Sequence, residues 1–158
     1  MTIPIINEWA LKKGIDLVGT GDFTHPMWLR ELEANLEEAG SGVFQLRKSQ
    51  IQMSKSKLEG VRFLLTSEVS CIYTHEGKGR RVHMMVFLPS FDSVKKFNQE
   101  LTSFGANLFS DGRPIMGLSL SQVTEIALEI TEKALIIPAH VWTPWFGFYG
   151  SMSGYDTL

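Results

Sequence analysis

Four apolar segments of this sequence each deliver a histidine or a carboxylate. The first runs from Ile15 into Gly19-Thr20-Gly21, and Asp22 and His25 follow within four residues of the second glycine. The second, Val61 to Glu68, ends in Glu68, and the fourth, Leu135 to His140, ends in His140. The third, Val82 to Pro89, carries His83 inside it. Neutral imidazole and carboxylate are the side chains that bind Zn, Mn or Fe, and a carboxylate can bridge two ions. Asp22 could add a ligand or orient a histidine from behind. Taken singly, each residue has an ordinary explanation: a histidine in a strand is usually a hydrogen-bonded core residue, and a glutamate at a strand end is usually solvated. The joint pattern points to a metal site. His75 lies in a Gly/Lys turn and is expected to have no ligand role.

The Ile15–Pro26 stretch reads as a buried parallel strand ending at a functional edge. The glycines allow a sharp turn, and Pro26 suits the first position of a helix. Before it, Ile3 to Lys13 reads as a short helix with Ile6, Trp9, Ala10 and Lys13 on one face. After it, Leu29, Leu32, Leu36 and Ala39 predict an amphipathic helix over 26–39, stopped by Gly40-Ser41-Gly42. Val43 to Arg47 is a weaker strand candidate, and Lys48 to Lys57 is polar. Val61 to Tyr73 and Arg81 to Leu88, joined by a Gly-rich turn at 74–79, predict a β-hairpin. Phe91, Val94, Phe97, Leu101 and Phe104 predict a helix over 91–104, followed by a loop over 107–117. Ser119 or Ser121 caps a further helix to about Thr131, with Val123, Ile126, Ala127 and Ile130 inward. A strand then leads to His140. Strand–helix alternation predicts an α/β protein with a mostly parallel sheet, and strand ends would place the candidate ligands on a common rim.

The chain has 158 residues, 44% of them hydrophobic, which is one ordinary domain with enough apolar material for a core. Its net charge of −2 gives no global argument for a nucleic-acid or membrane partner. The distribution is uneven, however. Gln45 to Arg81 holds eight Lys/Arg (Arg47, Lys48, Lys55, Lys57, Arg62, Lys78, Arg80, Arg81) against three Glu (Glu59, Glu68, Glu76). A solvated basic loop is the commoner explanation, and a phosphate-backbone contact surface is the functional one. The single cysteine, Cys71, excludes an internal disulfide framework, fits a reducing cytoplasm and reads as a small core residue. No signal-peptide pattern and no apolar stretch of about 20 residues is present, so no membrane role is expected. Between Val141 and Gly150 stand five aromatics, Trp142, Trp145, Phe146, Phe148 and Tyr149. They read equally well as a hydrophobic plug over the core or an interface with a missing segment, or as a stacking platform for a base.

Four motifs occur in order along essentially the whole chain: Gly-Thr-Gly-Asp-Phe-Thr-His-Pro at 19–26, Thr-Ser-Glu-Val-Ser at 66–70, Arg-Val-His at 81–83, and the long, specific Pro-Ala-His-Val-Trp-Thr-Pro-Trp-Phe-Gly at 138–147. Together they resemble the polymerase-and-histidinol-phosphatase (PHP) superfamily, and within it the PHP domain of endonuclease Q. The resemblance implies a distorted seven-stranded (β/α) barrel, up to three divalent ions (Zn, Mn or Mg), and metal-dependent phosphodiester hydrolysis in DNA repair at deaminated bases and abasic sites. Damaged DNA would be the partner of the longer parent protein. It implies catalytic roles for Asp22, His25 and Glu68 and metal ligation by His25, Glu68, His83 and His140, with Glu68 as the bridging carboxylate. The family's first His-x-His and last Asp-x-His motifs have no counterpart here. On this resemblance residues 1–158 are expected to form one partial PHP domain, an incomplete barrel, of which only the Glu68–His83–His140 ligand set is complete. The alternatives are a generic PHP phosphatase, or a non-catalytic metal- or DNA-binding remnant whose open edges favour association.

Overall fold

The longest element follows from the most strand-like sequence. Arg62–His75, in which Phe63, Thr66, Val69, Ile72, Tyr73 and Thr74 are β-branched or aromatic, forms a 14-residue strand, β4. It returns as β5, Lys78–Leu88, through Glu76 and Gly77, both at positive φ (50° and 74°). Such a two-residue turn matches the right-handed twist of the strands, and Gly77 takes the second position without strain. The ladder is unbroken from Leu65↔Leu88 to His75↔Lys78. The computed structural model describes residues 2–49, 60–110 and 112–156.

The remaining elements are α1 (Ile3–Lys12), β1 (Leu17–Gly19), α2 (Pro26–Asn35), β2 (Leu36–Gly40), β3 (Val43–Leu46), α3 (Phe91–Ser103), β6 (Ile115–Met116), α4 (Leu120–Ile130) and β7 (Leu135–Pro138). β4 joins the sheet together. β1 and β6 lie parallel to it, and β3 and β5 antiparallel, while β2 extends from β3 and β7 from β5, both antiparallel. The fold is α/β, but the sheet is open and mostly antiparallel, which corrects the expected mostly parallel, incomplete (β/α)7 PHP-type barrel. The reason is connection length. β2–β3 and β4–β5 are joined by tight turns, which permit only antiparallel pairing. The two parallel contacts are short, three residues for β1 and two for β6.

Other expectations shift too. α2 ends at Asn35, and Leu36 is extended (φ −106°, ψ 146°). Leu36–Gly40 then pairs with Val43–Leu46 as a hairpin around Gly40-Ser41-Gly42. Leu36 is buried from a strand as it would have been from a helix, so its apolar spacing could not separate the two. On α1 the buried residues are Ile3, Asn7 and Ala10, whereas Trp9 is 54% exposed. β1 is parallel as expected but lies open, with Leu17 53% exposed rather than buried. α3 starts at Phe91 as its apolar spacing predicts, and of the two serines offered for α4 it is Ser119 that caps; Ser90 and Ser119 each accept the backbone N–H three residues on, completing capping boxes with Ser93 and Gln122.

Val94, Phe97 and Leu101 of α3 and Val123, Ile126 and Ala127 of α4 share one core with Phe23, Phe63, Leu65, Val69 and Val86. Phe23 meets Phe97 edge to face at 6.1 Å. Cys71 is a free, fully buried thiol whose pKa burial pushes up to about 12, so it packs rather than reacts. Among the described residues no helix is long and apolar enough to cross a membrane.

Candidate metal centre

Register decides which hairpin side chains meet. Ser70 pairs with His83 and Glu68 with Met85, so Glu68 and His83 are diagonal neighbours on one face. Both stand in the middle of the hairpin rather than at strand ends, which corrects the expected rim. β7 then lies along β5, with Met84 opposite Pro138 and the Ala139 N–H donating to the His83 carbonyl at 2.9 Å. The next residue, His140, leaves the ladder at φ +33°.

Three donor atoms converge there. His83 Nδ1 is 3.0 Å from His140 Nε2 and 3.2 Å from Glu68 Oε1, and His140 Nε2 is 3.4 Å from the same oxygen. Ligand atoms of a tetrahedral ion with bonds of about 2.0–2.1 Å stand about 3.3–3.4 Å apart, so this triangle is close to one face of such a site. Glu68 Oε1 is buried and has no hydrogen-bond partner, a costly state for a carboxylate oxygen unless a cation meets it. The residues present therefore fit a divalent ion.

The surrounding groups prepare the two imidazoles as ligands. Thr143 Oγ1 lies 2.9 Å from the Trp145 carbonyl and 3.0 Å from the His140 carbonyl, and its one proton goes to one of them. Its oxygen then accepts from His140 Nδ1 at 2.7 Å, which leaves the Nε2 lone pair pointing at the cluster. Burial lowers the pKa of His83, and the Arg113 guanidinium lowers it further against the opposing pull of Glu68, so the ring stays neutral near pH 7. Phe146 stacks on the His83 ring at 4.3 Å and accepts the His83 backbone N–H at 3.0 Å.

Arg113 was not legible in the sequence. It belongs to the loop before β6, and its Nε donates to Glu68 Oε2 at 2.8 Å. A lone arginine in Gly-Arg-Pro carries no periodic or motif signal; only the tertiary fold brings it to Glu68.

Asp22 and His25 are placed differently. They lie on the turn after β1, where the His25 N–H donates to the Asp22 carbonyl at 2.9 Å and Asp22 is at φ +43°. The turn is pinned to β4 by Gly21 N–H to Thr66 Oγ1 (2.8 Å) and by the Thr24–Ser67 hydroxyl pair (3.0 Å). That brings its backbone beside the residues just before Glu68. Among the described residues, the group able to share an ion consists of Glu68, His83 and His140, without Asp22 or His25. His75 sits at the hairpin tip with its ring 5.6 Å from Tyr155. The basic segment does not form one loop. Lys55, Lys57 and Glu59 lie outside the described residues, and Arg62, Lys78, Arg80 and Arg81 are on the hairpin. Arg80 is buried, its guanidinium 4.5 Å from the Tyr155 ring and donating to the Gly154 carbonyl.

No family model matches the chain. An uncharacterized protein of Methanocaldococcus jannaschii is 26% identical over 144 residues, covering 91% of this chain and 14% of that protein. The uncharacterized protein YqxK of Bacillus subtilis is 29% identical over 151 residues, covering 92% of this chain and 35% of that protein. Two solved structures align over all of this chain and 34% of their own length. One is the lesion-specific endonuclease PfuEndoQ of Pyrococcus furiosus (34% identity, TM-score 0.76). The other is an endonuclease Q in complex with a 27-mer duplex substrate carrying an abasic lesion at the active site (35% identity, TM-score 0.77). The chain thus has an endonuclease Q-like fold and spans about a third of the length of the endonuclease Q chains it matches.

Proposed function

We propose that this chain carries the metal-binding part of a lesion-specific DNA endonuclease of the endonuclease Q type, a PHP-superfamily enzyme that hydrolyses a phosphodiester at a deaminated base or abasic site. One observation carries the reading: donor atoms of Glu68, His83 and His140 converge, 3.0 to 3.4 Å apart and close to tetrahedral spacing, on an endonuclease Q-like fold. Two imidazoles and one carboxylate suit Zn²⁺ with a position left open, and Mn²⁺ or Mg²⁺ are the other candidates. An ion held there supplies Lewis acidity to a phosphoryl oxygen and a water made acidic enough to attack near neutral pH. The chain's own groups do the rest. Arg113 steadies Glu68 and brings positive charge to the rim, where it is half exposed. Thr143 keeps the His140 lone pair directed inward, and Phe146 covers one face of His83. Asp22 and His25 belong in this reading to the surroundings of a further ion, reached from the turn held against Thr66 and Ser67.

The test is direct. The 158-residue chain, loaded with Zn²⁺ or Mn²⁺, is incubated with duplexes carrying uracil, hypoxanthine or an abasic site. Nicking of the lesion strand is expected. Glu68→Gln is expected to lose about 100-fold or more in metal affinity, since even a partner that only orients a ligand is worth about 10–100-fold, and to lose nicking with it. Metal content at the parent level in Glu68→Gln would overturn the ligand role. Turnover of a small phosphomonoester without cleavage of any lesion duplex would replace the reading with a generic phosphatase. Metal and DNA binding without turnover would reduce it to a binding role.

A further inference from the structure

The loop after β7 carries more aromatic surface than the ligand cluster uses. Phe146 covers His83, but Trp142, two residues beyond His140, is 77% exposed. One face of its ring lies on Tyr149, with centroids 5.2 Å apart and planes 22° apart. Tyr149 meets Phe148 edge-on, Phe148 stacks on Tyr155, and the Arg80 guanidinium caps Tyr155. Trp142 is thus the outer end of a packed aromatic column, supported from behind and open in front.

The backbone beneath it is fixed as well. Tyr149 N–H donates to the Val141 carbonyl at 2.9 Å, and Met152 N–H to the Pro144 carbonyl at 2.9 Å. A Cβ on Gly147 would stand 2.5 Å from the Thr143 carbonyl oxygen, and Gly150 and Gly154 leave still less room. Only glycine allows the chain to wind this tightly. Three residues along, Trp145 is half exposed with the Arg81 guanidinium 5.7 Å from its ring, so a cation stands beside the same loop.

A large apolar ring held rigid in water, with one face stacked and the other free, is poor economy for a plug but is the form of a stacking site. A nucleobase gains about 1–3 kcal/mol from such a ring, and every base has a face to offer. We propose that Trp142 is a base-stacking platform: its free face receives one unpaired nucleobase of a DNA strand whose backbone passes the Glu68–His83–His140 cluster. This rests on reading that cluster as a phosphodiester site, and it adds that the strand is engaged through an unstacked base as well as through its phosphates.

The experiment uses the 158-residue chain in EDTA, so that metal loading plays no part, with a labelled single-stranded 12-mer and a fully abasic backbone of the same length as probes. Trp142→Ala is expected to weaken binding of the ordinary oligonucleotide roughly 5- to 150-fold, the equivalent of about 1–3 kcal/mol, while Trp142→Phe keeps most of the affinity. The parent should bind the abasic backbone about as weakly as Trp142→Ala binds the ordinary strand. Equal affinity of parent and Trp142→Ala overturns the platform, as does equal affinity of the parent for the two probes, or no binding by the parent. A parent that dimerises through this face, with Trp142→Ala monomeric, overturns it too. If Glu68→Gln proves to keep its metal, the metal reading fails and this result is untouched.

Discussion

Glu68 and His83 are carried by a hairpin, and His140 by a loop, and the two regions fix their residues by different physics. In the hairpin an unbroken ladder from Leu65↔Leu88 to His75↔Lys78 sets which side chains share a face, and a core of Phe63, Leu65, Val69 and Val86 buries it. Position there is a consequence of register, and a one-residue slip would turn both side chains to the other face. The loop has no continuous ladder: one bridge at Val82↔Phe146 and the Arg81 N–H donating to the Ser153 carbonyl tie it to β5. It is held by Thr143 hydrogen bonds, by left-handed backbone at His140 and Phe146, and by glycines packed against carbonyl oxygens. A site assembled from both takes most of its rigidity from the hairpin and its fine aim from the loop. The loop is therefore the place where the site should fail first.

The strongest way to break that asymmetry is Gly150→Ala. The added methyl would overlap the Thr143 and Pro144 carbonyl oxygens, so the loop must unwind. A loss of roughly 1–3 kcal/mol is expected in thermal or denaturant unfolding, comparable with overpacking a core. Hydrogen exchange sharpens the point: amides of residues 141–154 should lose protection while those of 65–88 keep it. Uniform loss across both regions would show that the loop and hairpin form one cooperative unit.

A smaller effect is expected from Thr143→Val, which removes the oxygen that accepts from His140 Nδ1 while keeping the shape of the side chain. His140 then loses the bond that fixes its tautomer, and metal affinity should fall about 10–100-fold, while the lost hydroxyl bonds to the loop cost about 1 kcal/mol of stability. Calorimetric titration with Zn²⁺ checks the affinity, and a thermal melt of the metal-free chain checks the stability. Unchanged affinity would mean that packing alone orients the ring.

The smallest effect concerns His83 of the hairpin. The pKa of His83 is lowered in the folded chain, first by burial and then by Arg113. Its unfolded value is about 6.5, so below that the unfolded state binds the proton more readily than the folded one. The metal-free chain should then keep the full contribution above about pH 6.5 and lose stability as pH falls from there toward the lowered folded value. Melting temperatures of parent and His83→Gln between pH 8 and pH 5 check this. The parent should fall more steeply on the acid side, and parallel curves would remove His83 as the cause.

Much of the local structure was legible because it is decided locally. The apolar spacing from Phe91 announced one helix and Ser119 a second by capping chemistry, the Gly-rich turn after Thr74 announced a hairpin, and the β-rich run from Val61 announced β4. The pattern failed where one apolar residue serves two structures equally. Leu36 and Ala39 fitted a longer α2, and only the pairing with Val43–Leu46 turned that stretch into a strand. Strand direction failed for a related reason: alternation of strands and helices fits a parallel sheet, but the tight turns at 40–42 and 76–77 admit only antiparallel neighbours.

The sequence by itself determined the chemistry on offer, namely two histidines and a glutamate on separate apolar segments and an aromatic loop after His140, because side-chain type is a local property. The tertiary structure alone decided which of those groups meet. It brought Glu68, His83 and His140 together through register and a left-handed turn, set Asp22 and His25 on a neighbouring turn outside that cluster, and added Arg113 from a loop with no signal of its own. Convergence across 57 residues between His83 and His140 depends on long-range pairing of β5 with β7, and no window of sequence contains that pairing.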